Sequence, residues 1–273
     1  MSKKLIDADG GMQRMAIGLD WNRSPEKLLD RNARMLDLLT LQFRRSGRKS
    51  DREQLLKVAK FITEKLGQAD GSFASAVCEG CPGGRDTTVL TDANAMASAA
   101  LIRAGAVTNE TDLVGRGLSG ARFLRANRYV RNQGVAHAIE GKGILLPLYL
   151  DDLAATAETF FTAYQATGDT TWLRDGGEIV LLAVDNLMDK SLGALRDALP
   201  PAGAPAPCNV RCFLWKKFAN GARVGTLSIS GGQSGGRFRQ PDLARAFGSY
   251  GGSPRWRRAT LSLFTLSIPQ CSR

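Results

Sequence analysis

The residues with the most chemical potential are acids that recur at the starts of apolar segments. Asp30, Asp92, Asp151 and Asp152 are accompanied by Asn32 and Asn94. Two carboxylates flanking one bond can serve as acid and as base or nucleophile, the pairing that glycoside chemistry uses. Asp20, Trp21 and Glu26 add carboxylates and a ring that could stack on a sugar. The plainer reading of each Asp is structural, because an acid at a helix start meets free N–H groups and the positive end of the dipole. His137 is the single histidine and needs a partner to act as acid or ligand, with Glu140 the nearest candidate in sequence. A packing or loop histidine is the competing reading.

Two cysteine pairs complete the reactive inventory. Cys78-Glu79-Gly80-Cys81 is a CxxC, and Cys208 and Cys212 form a CxxxC. Four thiolates could hold zinc, and a lone CxxC could be a redox pair. The pairs lie far apart in the chain and no βαβ pattern surrounds the first, so incidental thiols in a loop are the leading reading and no metal is expected. Glycine-rich segments match neither a P-loop nor a dinucleotide fingerprint. No cofactor is expected.

Helices must position these groups. Leu153, Ala154, Ala157, Phe160, Phe161 and Tyr164 form one apolar stripe at helical period, which Thr167-Gly168-Asp169 stops, with Gly168 suited to a left-handed C′ position. Leu28, Leu29, Met35, Leu36, Leu39 and Phe43 make a similar stripe. Ser50-Asp51-Arg52-Glu53 reads as a capping box ahead of Leu55, Leu56, Ala59, Ile62 and Leu66. Leu29-Asp30-Arg31-Asn32-Ala33, Leu90-Thr91-Asp92-Ala93-Asn94-Ala95 and Leu150-Asp151-Asp152-Leu153-Ala154 open three units spaced 62 and 59 positions apart. A period near 60 with two helices per unit predicts stacked helical hairpins. Glycines at 115, 117, 120, 176 and 177 fall inside the second helices, where each costs up to about 1 kcal/mol relative to alanine.

Charge divides the chain. The 273 residues carry 37 Lys and Arg against 26 Asp and Glu, net +11. Residues 201–273 hold 11 of the bases and one acid, Asp242, so that segment is +10 and residues 1–200 are +1. Segment 201–273 is rich in Gly, Ser and Arg and continues no helical stripe. It is expected to be disordered, or the product of a shifted reading frame beginning near residue 200. A nucleic-acid-binding tail, with Trp256 stacking a base, is the less favoured alternative, since no nucleic-acid motif is present. No apolar run approaches the roughly 20 residues a spanning helix needs. Five cysteines, an odd number, argue against a fully paired secreted framework. The expectation is a soluble cytoplasmic protein without a membrane partner.

Gly10-Gly11-Met12-Gln13-Arg14, Asp20-Trp21 and Pro25-Glu26-Lys27-Leu28-Leu29-Asp30-Arg31-Asn32-Ala33 together resemble a motif of the spermatogenesis-associated protein 20-like family. Asp70-Gly71-Ser72-Phe73, Leu90 to Ala95 and Leu150 to Leu173 fit the same family, so the resemblance spans about residues 10–197. These are thioredoxin-domain proteins whose C-terminal half is similar to six-hairpin glycosidases. The resemblance departs at Pro25, which lacks a following His, and at Ala93, where the family has Trp. It implies an all-α fold, a partial (α/α) toroid of about three of six hairpins over residues 1–200, without the family's thioredoxin-like domain. It also implies a central funnel lined by inner-helix ends. Asp92, Asp151, Asp152 and Glu26 are then the catalytic candidates, and Trp21, Asn32, Asn94 and His137 the substrate-binding ones. Cys78 and Cys81 are weak metal candidates. The expected function is a truncated glycosidase-like helical module, non-catalytic by itself, with a carbohydrate-like small molecule as its ligand. The alternatives are a carbohydrate-processing enzyme using the funnel carboxylates and a helical-repeat binding module with a nucleic-acid tail.

Overall fold

The computed structural model describes residues 5–17, 22–23, 26–140, 143–144, 148–190 and 193–199. Three helical hairpins follow one another: α1 (Leu29–Ser46) with α2 (Lys49–Phe61), α3 (Thr91–Thr108) with α4 (Thr111–Asn127), and α5 (Leu150–Thr167) with α6 (Thr170–Leu187). A π-turn, Ile62–Leu66, extends α2. The helices α1, α3 and α5 are each 18 residues long and pack side by side as an inner layer, with α2, α4 and α6 behind them. The all-α, partial-toroid expectation holds for these residues.

Each inner helix turns into its outer partner through two residues. The links are Gly47-Arg48, Asn109-Glu110 and Gly168-Asp169, and the first residue of each is left-handed, with φ of 64°, 59° and 72°. Glycine and asparagine are the residues that adopt this conformation most readily. The Gly168 N–H closes back on Tyr164 O at 2.8 Å, the expected helix stop. Asp169 then caps α6 by accepting from Thr171 N at 2.9 Å.

The capping box read at Ser50 does not form. Helix α2 starts earlier, at Lys49, and Asp51 lies in its first turn. Asp51 instead accepts from Ser46 Oγ, from Gln42 Nε2 at 2.7 Å and from Arg48 Nε at 3.1 Å, tying the α1–α2 turn together. The hydrogen bond from Ser46, more than the other contacts, holds its carboxyl below the usual range.

Gly117 and Gly120 inside α4 have a packing reason, whereas a Cβ on Gly115 would meet nothing within 4 Å. A Cβ on Gly117 would stand 2.6 Å from Ser98 O, and one on Gly120 would stand 2.2 Å from Ser98 Oγ. Their absence of side chain lets α4 lie close against α3, so helix propensity yields to close packing. Two apolar clusters result. One joins Leu36, Leu39, Leu55, Phe61, Phe73 and Leu101, and the other joins Leu124, Leu153, Phe160, Ile179 and Leu187 with Trp172. Phe160 meets Trp172 and Tyr129 at ring-centroid distances of 5.2 and 5.9 Å.

The segments that precede the inner helices and follow the outer ones are longer and carry two-residue strands. β1 (Ala16–Ile17) pairs antiparallel with β2 (Asn22–Arg23). β3 (Lys27–Leu28), β4 (Ala76–Val77) and β5 (Arg85–Asp86) form a three-stranded antiparallel ribbon. β6 (Tyr129–Val130) pairs with β7 (Gly134–Val135), β8 (Ile139–Glu140) with β9 (Gly143–Ile144), and β10 (Met188–Asp189) with β11 (Ala194–Leu195). These ribbons attach at the N-terminal ends of the inner helices. Residues 201–273, with Cys208, Cys212 and the expected basic tail, lie outside the described residues.

Candidate functional site at the inner-helix N-termini

One hydrogen bond repeats at the start of every inner helix. Leu29 N donates to Ser75 O at 2.8 Å, Thr91 N to His137 O at 3.1 Å, and Leu150 N to Asp197 O at 2.8 Å. The free N–H groups of a helix start therefore fasten each helix to a loop that follows one hairpin later. The N-cap residues Leu28, Leu90 and Tyr149 contribute no side-chain cap. Asp30, Asp92 and Asp151 sit inside the first turns rather than capping them, where their charge still complements the helix dipole.

Asn32 and Asn94 serve the scaffold. Asn94 is 1% exposed; its Oδ1 accepts from Phe73 N at 2.7 Å, and its Nδ2 donates to Phe73 O at 3.0 Å and Leu90 O at 2.9 Å. Asn32 repeats this with Met12 N at 2.7 Å, Met12 O at 3.1 Å and Leu28 O at 2.8 Å. Each amide thus spends its acceptor and both donors on backbone. The loop it holds is an Asp-Gly-x-apolar turn in both cases: Asp9 Oδ1 accepts from Gly11 N, and Asp70 Oδ1 from Ser72 N, each at 2.9 Å. Gly10 and Gly71 take φ of 91° and 95°. Asp9 is the counterpart of Asp70 that the sequence reading missed, although it lies at the same period.

The third inner helix differs. Its position equivalent to Asn32 and Asn94 is Leu153, and one residue earlier stands Asp152, 1% exposed. Asp152 Oδ2 lies 2.8 Å from His137 Nδ1, and Oδ1 accepts from Asp92 N at 3.1 Å. Burial, opposed by His137 and aided by the Asp92 charge, pushes the Asp152 carboxyl up to about 6. With the Asp152 carboxylate as acceptor, the His137 tautomer that fits this contact carries a proton on Nδ1 and turns Nε2 away from it. The His137 side chain is 41% exposed, and its ring meets Tyr149 edge-on at 5.2 Å. Thr91 holds this loop in place, its N–H on His137 O and its hydroxyl on Ala136 O. The partner the geometry gives His137 is Asp152; the side chain of Glu140, the candidate nearest in sequence, lies outside the described residues.

Arg128 and Tyr149 are additions that sequence reasoning missed. Arg128 is 5% exposed, its Nη2 donates to Val89 O at 3.2 Å, and its Nε and Nη1 have no hydrogen-bond partner among the described residues. Burial pulls its pKa down, against the pull of Asp70 and Asp152. Nothing in the local sequence distinguishes this arginine from Arg116, Arg122 and Arg125 of α4. The other expected site residues fall apart from this group. Glu26 pairs with Arg14 Nη1 at 2.6 Å, Asp151 is exposed at the start of α5, and Trp21 lies outside the described residues. Cys78 and Cys81, the weak metal candidates, are bonded to each other as a disulfide, and in that state neither sulfur is a thiolate. Among the described residues no group of three or more His, Cys, Asp or Glu is placed to hold a metal ion. None of the described helices is long and apolar enough to cross a membrane.

Three consecutive hairpins with parallel inner helices define the class: a six-hairpin glycosidase-like (α/α) toroid, here in part. Among solved structures the chain is similar to the cellobiose 2-epimerase of Bacillus thermoamylovorans, with a TM-score of 0.62 and 14% identity over 72% of this chain and 54% of that one. It is similar to the cellobiose 2-epimerase of Spirochaeta thermophila, with a TM-score of 0.60 and 18% identity over 74% and 53%. It also matches an inactive α-1,6-mannanase variant from a Salegentibacter species in complex with α-1,6-mannotriose, with a TM-score of 0.57 and 14% identity over 72% and 52%. At these identities the likeness is one of fold. The chain spans about half the length of these structures. No family model and no curated protein matches the sequence.

Proposed function

We propose that this chain is a glycosidase-like helical module that binds a carbohydrate at the Asp92–His137–Asp152 cluster and does not turn it over by itself. The observation that carries the reading is the Asp152–His137 pair, an imidazole with a free Nε2 held by a buried carboxylate. Asp92 stands beside it with no ion-pair or hydrogen-bond partner for its carboxylate among the described residues. Sugar hydroxyls suit such a group, since they can donate to Nε2 and to Asp92, and the Tyr149 ring offers an apolar face beside them. Asp151 and Asp152 also form an adjacent aspartate pair, and the mannanase variant that matches this fold is an inactive one with two adjacent aspartates replaced. Glycoside cleavage needs a second carboxylate across the scissile bond. The three hairpins of the described residues supply one wall of a funnel, and that is why binding without turnover is favoured here.

The alternative, a carbohydrate-processing enzyme, is favoured by the raised Asp152 carboxyl, because a proton held near 6 suits a general acid. The finer family assignment, to the spermatogenesis-associated protein 20-like group, rests on the motif order from Gly10 to Asp169 and stays part of this proposal. Titration of the chain with cellobiose and with α-1,6-mannotriose tests it. Saturable binding that is lost in His137→Ala and in Asp152→Asn, without sugar conversion, is the expected result. Conversion that disappears in the same variants selects the enzyme. No binding of either sugar removes the carbohydrate reading.

A further inference from the structure

The tip of the β4–β5 hairpin carries chemistry that the sugar site does not use. Residues 78–84 form this tip, and Cys78 is joined to Cys81 by a disulfide, with the two Cα atoms 5.5 Å apart. Both cysteines are half-buried, while Glu79, Gly80, Pro82, Gly83 and Gly84 around them are exposed. A Cβ added at Gly80, Gly83 or Gly84 would meet nothing within 4 Å, so at these positions the tip stands clear of the other described elements. An incoming thiolate can therefore approach the sulfurs in the folded chain, and such access helps to set the rate of thiol–disulfide exchange.

The disulfide contributes little to holding the fold. Its cysteines are three positions apart, and the shorter the loop a disulfide closes, the less it restrains the unfolded chain. The hairpin is secured inboard of the tip. Ala76 pairs with Asp86 and Val77 with Arg85, Ser75 N donates to Asp86 O at 2.9 Å, and Arg85 Nη1 donates to Lys65 O at 3.1 Å. Within the tip, Cys78 N donates to Gly84 O at 3.1 Å, Gly84 N to Cys81 O at 2.9 Å and Cys81 N to Cys78 O at 3.4 Å. The last of these, the longest, is the one that accompanies the disulfide across its turn. Gly83 and Gly84 hold left-handed φ of 64° and 75°, and with Gly80 they regain much backbone freedom when a closed turn is released. A break between the sulfurs thus frees the tip and leaves the ribbon paired.

We propose that Cys78 and Cys81 form a thiol–disulfide exchange site, reduced by an external dithiol, that opens the hairpin tip in the folded chain. A donor thiolate attacks one sulfur, the S–S bond breaks, and the other cysteine leaves as a thiolate. The donor's second thiol, as its thiolate, then attacks the mixed disulfide and releases the first cysteine. Each cysteine thiolate takes up the proton that a donor thiol gave up. Two electrons and two protons pass to the pair, and the donor ends as an internal disulfide. The reverse exchange closes the tip again. A monothiol is a poorer donor, because the freed cysteine stands three positions from the mixed disulfide and expels it. The inference rests on the hairpin tip and not on the sugar-site reading.

Alkylation and peptide mass mapping of the full 273-residue chain, without denaturant, test it. Dithiothreitol should expose both Cys78 and Cys81 to the label and leave the helical circular dichroism unchanged. A reduced chain treated with oxidised glutathione before alkylation should be unlabelled again. Reduced glutathione at equal thiol concentration should give about tenfold less label at the pair. A glutamyl endopeptidase should cut after Glu79 about tenfold faster in the reduced chain. Cys81→Ser should be cut at that faster rate with or without reductant. Labelling that requires urea makes the bond a structural staple, equal labelling by glutathione removes the dithiol, and a cut at Glu79 indifferent to reduction removes the opening. Any one of these results overturns the proposal.

Discussion

The junction of α1 with α3 and the junction of α3 with α5 are built on the same frame, yet only the second joins a buried carboxylate to a histidine at its mouth. At the first, the Asn94 amide pins Phe73 and the adjacent loop carbonyl belongs to Ser75. At the second, Leu153 replaces the amide, its neighbour becomes the buried Asp152, and the loop carbonyl belongs to His137. The lesson is that residues repeated from unit to unit are scaffold here, and the residue that breaks the repeat is where chemistry gathers. Asn32 and Asn94 repeat and are fully used by backbone. Asp152 occurs where the first two units have Arg31 and Ala93.

The largest expected effect comes from removing a clamp. Asn94→Ala leaves Phe73 N and O buried without partners, and each unsatisfied group costs about 1–3 kcal/mol. The expected loss in urea unfolding is about 2–5 kcal/mol. Asn32→Ala should cost less, because Met12 is only half-buried while Phe73 is 0% exposed. Equal losses, or a greater loss at Asn32, would break the distinction between a fully buried clamp and a half-buried one.

The second junction should announce itself in pH dependence. The folded pKa of Asp152, about 6, lies above its ordinary value of 3.8, so the folded chain binds more protons between those limits than the unfolded one. Stability from this group is therefore present below about pH 4 and is lost as pH rises through 6, by on the order of 1–3 kcal/mol. Other carboxylates here run the opposite way: hydrogen bonds from Ser72 outweigh the burial of Asp70 and lower its pKa, so that group stabilises above the unfolded value and loses its effect as pH falls. Urea midpoints at pH 4.5 and 7 for the native chain and Asp152→Asn isolate the difference. The asparagine variant should flatten the decline that the native chain shows; parallel curves would remove the raised carboxyl from the account.

Periodicity carried the fold well because helical stripes and two-residue stops are local. Leu153 to Tyr164, Gly168 and the spacing of Ala33, Ala95 and Ala154 all report on neighbours close in sequence. The site was legible only as a set of types. Asp92, Asp152 and His137 were candidates, but their meeting depends on a loop folding back onto a helix 15 positions later, and Glu140 looked nearer. Asn32 and Asn94 read as ligands because polar residues near helix starts suit both roles. The choice is made by Met12 and Phe73, which lie 20 and 21 positions upstream. The glycines of α4 misled for the same reason: propensity is local, while the Ser98 contact that requires Gly117 and Gly120 is not.

Arg103 ties the two junctions together and carries the smallest expected effect. Its Nε and Nη2 grip Asp37 of α1 at 2.9 and 2.7 Å, and its Nη1 reaches Glu158 of α5 at 2.9 Å. Burial acts against its charge, but the two carboxylates outweigh this and hold the guanidinium firmly protonated. The side chain keeps 27% of its surface exposed and its partners 34% and 27%, so water screens the bridge. Arg103→Met should therefore cost only about 1 kcal/mol, and less at high salt. The fork geometry makes lysine a poor substitute, since one ammonium cannot hold both oxygens of Asp37 and still reach Glu158. If Arg103→Met cost as much as Asn94→Ala, the two junctions would be one cooperative charge network, and the contrast between a hydrogen-bonded clamp and a titrating site would have to be redrawn around Arg103.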